Sequence, residues 1–190
     1  MPMTDPKTGK MFKDELDGYK LSGCGPRQKK IFFVNVNVYA VGLYLDSAEV
    51  SEAFSDMKGK KLKDFQMENF YTKFCKAKIN KKVAMIIARN LTPAQLSGGL
   101  AEGLKPRSKD KANVDKLEDM LKDETFNDDC RVTFTVSKEG VFTLQVDDKK
   151  WDPWDCPDLC NAITGVFFDH NCISPEARNG MMTNMPSLVV

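Results

Sequence analysis

The sequence predicts an α+β fold: a mostly antiparallel sheet with its helices gathered on one face. Three observations carry this. Strand-like stretches are grouped rather than alternating one for one with helices. Residues 130–136 and 141–146 alternate with period two around Ser137-Lys138-Glu139-Gly140, the pattern of an antiparallel hairpin. Thr92-Pro93-Ala94-Gln95 is a capping box with proline at the first helical position. The chain has 190 residues and is 42% hydrophobic, enough to bury roughly 70% of its unfolded surface around one core. We therefore expect one domain over residues 19–190, preceded by a polar lead-in at 1–18 that frays or adds an edge strand.

Taken in order, Ser22-Gly23-Cys24-Gly25-Pro26 reads as a tight bend, and residues 31–45 as one long strand, β-branched and aromatic almost throughout. In that strand Phe32, Val34, Val36, Val38 and Ala40 share an apolar parity, and Phe33, Asn35, Asn37, Tyr39 and Val41 a mixed one. Residues 46–63 read as helix or loop, and 67–77 regain strand character. Asn80 resembles an N-cap for a helix over 81–90, with Val83, Ile86 and Ile87 on its buried stripe. The capping box opens a helix to about Leu104 with the stripe Leu96, Leu100 and Leu104. Gly98, Gly99 and Gly103 inside it cost about 1 kcal/mol each against alanine, which implies either close approach or an irregular helix. A charged surface helix follows within 105–129. After the hairpin, Asp155 is a candidate cap for a helix reaching about residue 169 that buries Leu159, Ile163, Val166 and Phe167. Ser174 starts the last short helix.

Composition removes several classes of function. With 28 basic against 27 acidic side chains, the broad positive footprint of a nucleic-acid binder is missing. No run approaches the roughly 18 apolar residues of a membrane span. The N-terminus lacks a signal peptide's apolar region, so an intracellular protein is expected, cytoplasmic or, where a presequence precedes these residues, in an organelle. Six scattered cysteines read as reduced thiols. Cys156 and Cys160 with the lone His170 are too few for zinc, so no metal or cofactor is expected. Nucleophile elbow, P-loop, dinucleotide fingerprint and zincin motif are all absent.

What remains is Gly23-Cys24-Gly25-Pro26-Arg27 leading into an apolar strand. A buried guanidinium is costly without a partner, so Arg27 calls for a structural salt bridge or a ligand anion. Tyr39 lies twelve positions on, roughly 40 Å along a straight strand. The two meet only if the chain folds back between them, for which a turn or bulge at Asn35 and Asn37 is one route.

These residues resemble a known family. Gly-x-Gly-x-Arg, then Val38-Tyr39-Ala40-Val41-Gly42-Leu43-Tyr44-Leu45, then Ile173-Ser174-Pro175-Glu176-Ala177-Arg178 are similar to the chalcone isomerase superfamily, over about residues 21–185. The resemblance implies an open-faced β-sandwich, with a large antiparallel sheet, a helical layer and a ligand cleft between them. The superfamily holds true isomerases, which close a chalcone to a flavanone, fatty-acid-binding members without catalysis, and non-catalytic helpers of flavonoid synthesis. Arg27 matches the arginine that meets an oxyanion in the ligand-binding branches, and Tyr39 the tyrosine of the fatty-acid-binding branch. True isomerases carry threonine at the position of Tyr39, tyrosine at that of Leu96 and asparagine at that of Gly103.

The resemblance therefore implies a non-catalytic protein binding a fatty acid or related carboxylate. Its ligand-binding set is Arg27, Tyr39, Tyr44, Val83, Ile87, Leu96, Leu100 and Gly103. Leu96 and Gly103 would line the cleft as hydrocarbon and empty space. On pattern alone Val83, Ile87, Leu91 and the Leu96 stripe read equally as core. The rival expectations are an intramolecular lyase using Arg27 on an enolate oxygen with Tyr39 or Tyr44 ordering water, and a partner or haem-binding protein that would depend on His170.

Overall fold

A computed structural model describes residues 1–190. Its strands are β1 (Met3–Thr4), β2 (Met11–Phe12), β3 (Glu15–Leu16), β4 (Tyr19–Ile31), β5 (Val34–Leu45), β6 (Lys81–Ile87), β7 (Arg131–Val136), β8 (Val141–Val146), β9 (Lys149–Lys150) and β10 (Trp154–Asp155). Its helices are α1 (Ser47–Ala53), α2 (Leu62–Phe65), α3 (Glu68–Lys76), α4 (Pro93–Leu104), α5 (Lys111–Leu121), α6 (Pro157–Phe168), α7 (Pro175–Gly180) and α8 (Met185–Leu188). An antiparallel sheet runs β10-β8-β7-β6-β5-β4-β3, with β9 on β8. The helices cover one face, over a continuous core that includes Tyr39, Val41, Leu43, Val83, Met85 and Ile87 from the sheet. The other face carries a small cluster of Leu21, Ala40, Tyr44, Ala84 and Ile86 under Phe12 of the lead-in.

The hairpin of β7 and β8, the capped helix α4, and α6 with its buried Leu159, Ile163, Val166 and Phe167 form as the sequence predicts. In the capping box the Thr92 hydroxyl accepts from the Gln95 amide, and the Gln95 side chain accepts from the Thr92 amide. The cap of α6 is Cys156, one residue beyond the expected Asp155, which belongs to β10.

Four expectations are corrected. Residues 22–26 are not a bend but the interior of β4, paired with β5. The stretch 31–45 is not one strand: the chain reverses at Phe32-Phe33, so Ile31 ends β4 and β5 runs from Val34. Residues 67–77 form helix α3, because Phe70, Tyr71 and Phe74 come together on one side of a helix among Phe54, Phe65 and Phe168. Aromatic content imitates a strand there, and helical spacing decides. Residues 81–87 form β6 rather than a helix. A central strand covered on both faces is buried at every position, and the apolar run at 83–87 has no period to separate it from a buried helix. Asn80 caps nothing; it donates to Glu49 and accepts from the Lys138 amide, tying α1 to the β7–β8 turn.

Candidate functional site

The reversal at Phe32-Phe33 sets Arg27 directly opposite Tyr39 on neighbouring antiparallel strands, where directly opposed side chains share a face. The glycines before Arg27 have a structural role. A Cβ at Gly25 would stand 2.7 Å from the Ala177 Cα, and one at Gly23 would collide with the Gly180 carbonyl. Helix α7 therefore lies on β4 at backbone contact, a position open only to residues without a side chain. Ser174 locks the contact: its hydroxyl donates to the Pro26 carbonyl at 2.8 Å and caps α7 by accepting from the Ala177 amide. The two motifs 23–27 and 173–178, far apart in sequence, are thus the two sides of one joint.

Arg27 emerges at the end of that joint. Its Nη1 donates to the Ile173 carbonyl at 2.6 Å and to the Gln28 carbonyl at 3.0 Å, and no carboxylate pairs with it within 4.0 Å. The expected salt bridge is not there. Between Arg27 and Gln28 the register slips, leaving Val38 as an extra residue on β5. Such a bulge re-aims neighbouring side chains, and this one falls beside the Arg27–Tyr39 pair rather than at Asn35 or Asn37. Tyr39 is buried. Burial pushes its phenol up to about 12, against the opposing pull of the adjacent Arg27 guanidinium. At neutral pH the hydroxyl is protonated and able to donate, next to a cation with unused donors.

Ile87 stands directly opposite Tyr39 on the far side of β5. Together with Val83, Leu96 and Leu100 it belongs to the same continuous buried cluster as Tyr39. The remaining expected residues are placed differently. Tyr44 faces the opposite side of the sheet and donates to the Lys13 carbonyl at 3.0 Å, so it does not join Arg27. Gly103 does not provide empty space: a Cβ there would meet Val166 at 3.1 Å and Ile173 at 3.7 Å, so this glycine lets α6 approach α4. Gly98 and Gly99 have nothing within 4 Å of a Cβ position, and no close approach explains them.

None of the five main cavities is lined by any of these residues. One of about 730 Å³ lies near the other end of β6, roughly 20 Å along the strand from Ile87, with Lys81, Arg107, Lys138, Cys75 and Cys160 in its wall. There the buried Lys81 amine donates to the Ala77 carbonyl at the end of α3, and burial lowers its pKa to about 8. Sequence reading passed over Lys81 because a lysine at a helix start is unremarkable. Its only sequence signal is a pair of lysines heading an apolar run. It also missed the Ile173 carbonyl, since a backbone acceptor leaves no mark in residue type. His170 is exposed and contacts Asn171. Burial raises the thiols of Cys24 and Cys130 to about 12 and of Cys75 to about 11, which holds them un-ionised and unreactive at neutral pH.

The architecture has known counterparts. The family model described as chalcone-flavanone isomerase matches residues 15–188. A curated relative, chalcone isomerase-like protein 2 of Humulus lupulus, is 24% identical over 139 residues, covering 66% of this chain and 66% of its own. The chain thus spans just under two thirds of that relative's length. The crystal structure of the Arabidopsis thaliana fatty-acid binding protein AtFAP1 superposes with a TM-score of 0.84 at 20% identity, over 100% of this chain and 99% of that one; this likeness is one of fold. With the family match spanning nearly the whole described fold, this chain belongs to the chalcone-flavanone isomerase family.

Proposed function

We propose that this chain is a non-catalytic family member that binds a fatty acid or related carboxylate, with Arg27 and Tyr39 holding the head group. The observation that carries this reading is a half-buried guanidinium with no carboxylate partner, directly opposite a buried and protonated phenol. A carboxylate supplies what the pair lacks: a charge for Arg27 and an acceptor for the Tyr39 hydroxyl. The hydrocarbon beyond it is of the right kind, since Ile87, Val83, Leu96 and Leu100 continue from Tyr39 as one apolar body. Those side chains touch in this structure, so admitting an acyl chain requires α4 to move outward. Helix α4 rests on α5 and α6, and its open Gly98-Gly99 side meets no neighbour.

The polar groups expected for ring closure argue against an isomerase, because Leu96 and Gly103 offer neither hydroxyl nor amide. Likeness to a fatty-acid binding protein supports the reading at the level of fold.

Purified protein, extracted and examined by mass spectrometry, should release fatty acid. Arg27→Ala should weaken affinity for added palmitate by roughly 10- to 100-fold, the worth of a charge-assisted pair, and Tyr39→Phe by roughly fivefold. Arg27→Lys, which keeps the charge without the fork, should fall between them. Unchanged binding in a folded Arg27→Ala protein, or turnover of chalcone above its spontaneous rate, would overturn the proposal.

A further inference from the structure

The hairpin of β4 and β5 continues past the site as an arm that no third strand joins, touched at its root by the lead-in, where the Asn37 side-chain amide donates to the Lys7 carbonyl at 2.6 Å. Pairing of β5 with β6 stops at Tyr39, and β3 touches β4 only at Tyr19 and Lys20. Residues 28–31 and 34–37 therefore pair only with each other. At the end of this arm Phe32 is 90% exposed, Phe33 95%, Val34 65% and Ile31 44%. The chain exposes eight large hydrophobic side chains, and four of them are these consecutive residues, so this is a patch and not scatter.

Two further observations point to what the patch meets. From Gly18 to Leu45 the sequence contains no acidic residue, while Lys29 and Lys30 stand exposed on the arm just before the apolar run. Neither lysine has a carboxylate partner. Phe32 also takes φ 54°, the left-handed region where a two-residue hairpin ordinarily places glycine or asparagine. A bulky aromatic kept at a strained and fully solvated position has no folding reason to be there.

We propose that this tip is a membrane-docking element, inserting Phe32 and Phe33 into the interface of an anionic lipid bilayer while Lys29 and Lys30 engage the head-group phosphates. An aromatic tip flanked by unpaired lysines has the amphiphilic order of that interface. A protein partner or a second copy fits less well, because four side chains on a two-stranded arm fall far short of the roughly 800 Å² per partner that a stable protein interface buries. Docking by this tip leaves the chain on the bilayer surface, and no helix is long and apolar enough to cross it. It holds Arg27 roughly 15 Å from the inserted Phe32, with the lysines at the head groups only two and three residues away along the arm. The inference stands independently of the fatty-acid reading, since it uses none of the residues assigned to the ligand.

Sedimentation of the full chain with vesicles tests it. Binding to phosphatidylcholine vesicles containing about 30 mol % phosphatidylserine should exceed binding to pure phosphatidylcholine, and should fall as salt is raised. Phe32→Ser with Phe33→Ser should lose at least about tenfold in partitioning. Lys29→Gln with Lys30→Gln should lose roughly fivefold per lysine. All four side chains are exposed, so melting curves should remain those of the parent protein to within a few degrees. Failure of the parent chain to bind anionic vesicles would overturn the proposal, as would equal binding by the serine variant. So would concentration-dependent self-association that these serines abolish without any vesicle binding. Loss of vesicle binding with palmitate affinity intact separates this proposal from the ligand reading.

Discussion

On one side of the Arg27–Tyr39 pair the β4–β5 hairpin is enclosed, with β6 along β5, α7 against the glycines of β4 and Phe12 over Gly42. On the other side it ends in open solvent. The same two strands obey different rules in the two halves. Towards the base, each small residue answers to a specific neighbour: Gly25 to Ala177, and Gly42 to the Phe12 ring, which a Cβ there would meet at 2.5 Å. At the tip, residues 31–34 stand exposed, and apolar side chains sit where packing alone would select polar ones. The candidate ligand pair lies at the boundary, beside the Val38 bulge, where a cation escapes both the close packing of the base and full solvation. Residue choice at the base is accounted for by folding; at the tip it needs an outside partner.

Substitutions at the two ends test this contrast, beginning with the greatest. Gly25→Val should cost more than about 3 kcal/mol, because the new side chain cannot share space with the α7 backbone. Chemical denaturation measures it, and a loss below about 1 kcal/mol would mean that α7 is not seated on β4. At the foot of the sheet, furthest from the tip, Lys81 is opposite Leu45. Its folded pKa of about 8 lies below the ordinary 10.5, so between these values the unfolded chain binds more protons. Stability must then rise with pH from about 8 to 10.5, and the cost of burying the charged amine is felt in full below pH 8. Lys81→Met should flatten that rise and stabilise the protein at pH 7 by about 1–3 kcal/mol, the lost bond to Ala77 offsetting part of the gain. Equal slopes for the two proteins between pH 8 and 10.5 would refute the buried charge. Smallest of the three, Phe32→Asn at the tip should raise stability by about 0.5–1 kcal/mol by relieving the left-handed backbone. A decrease would show that the Phe32 ring contributes to folding, and the tip would then belong with the base.

Much of the architecture was legible in residue order. The Thr92-Pro93-Ala94-Gln95 box, the alternation around Ser137–Gly140 and the Leu159, Ile163 and Val166 stripe all rest on interactions within a few residues, and all three elements formed. Reading failed at α3 and β6 because their environments are supplied from elsewhere in the chain. Three buried rings from three other segments, Phe54, Phe65 and Phe168, surround Phe70 and Phe74, and sheet neighbours on both edges hold Lys81–Ile87 extended. For the site, Arg27 and Tyr39 were identifiable as residues, yet their meeting depended on a reversal at Phe32-Phe33 that carries no turn-forming glycine, asparagine or proline. Tyr44 was misplaced for a related reason. Side chains alternate along β5, and an odd number of steps from Tyr39 puts it on the other face.

Read by itself, the chain determines an α+β class, several capped elements, and the presence of a cation and a phenol in a greasy setting, because these depend on side-chain type and local spacing. The tertiary structure alone decides that glycines 23 and 25 admit a helix, that Ile173 supplies a carbonyl to Arg27, that Gly103 is filled by its neighbour, and that two phenylalanines are left in water. Each of those outcomes hangs on register and close approach between segments distant in sequence, where the decisive energy is the burial of one segment by another.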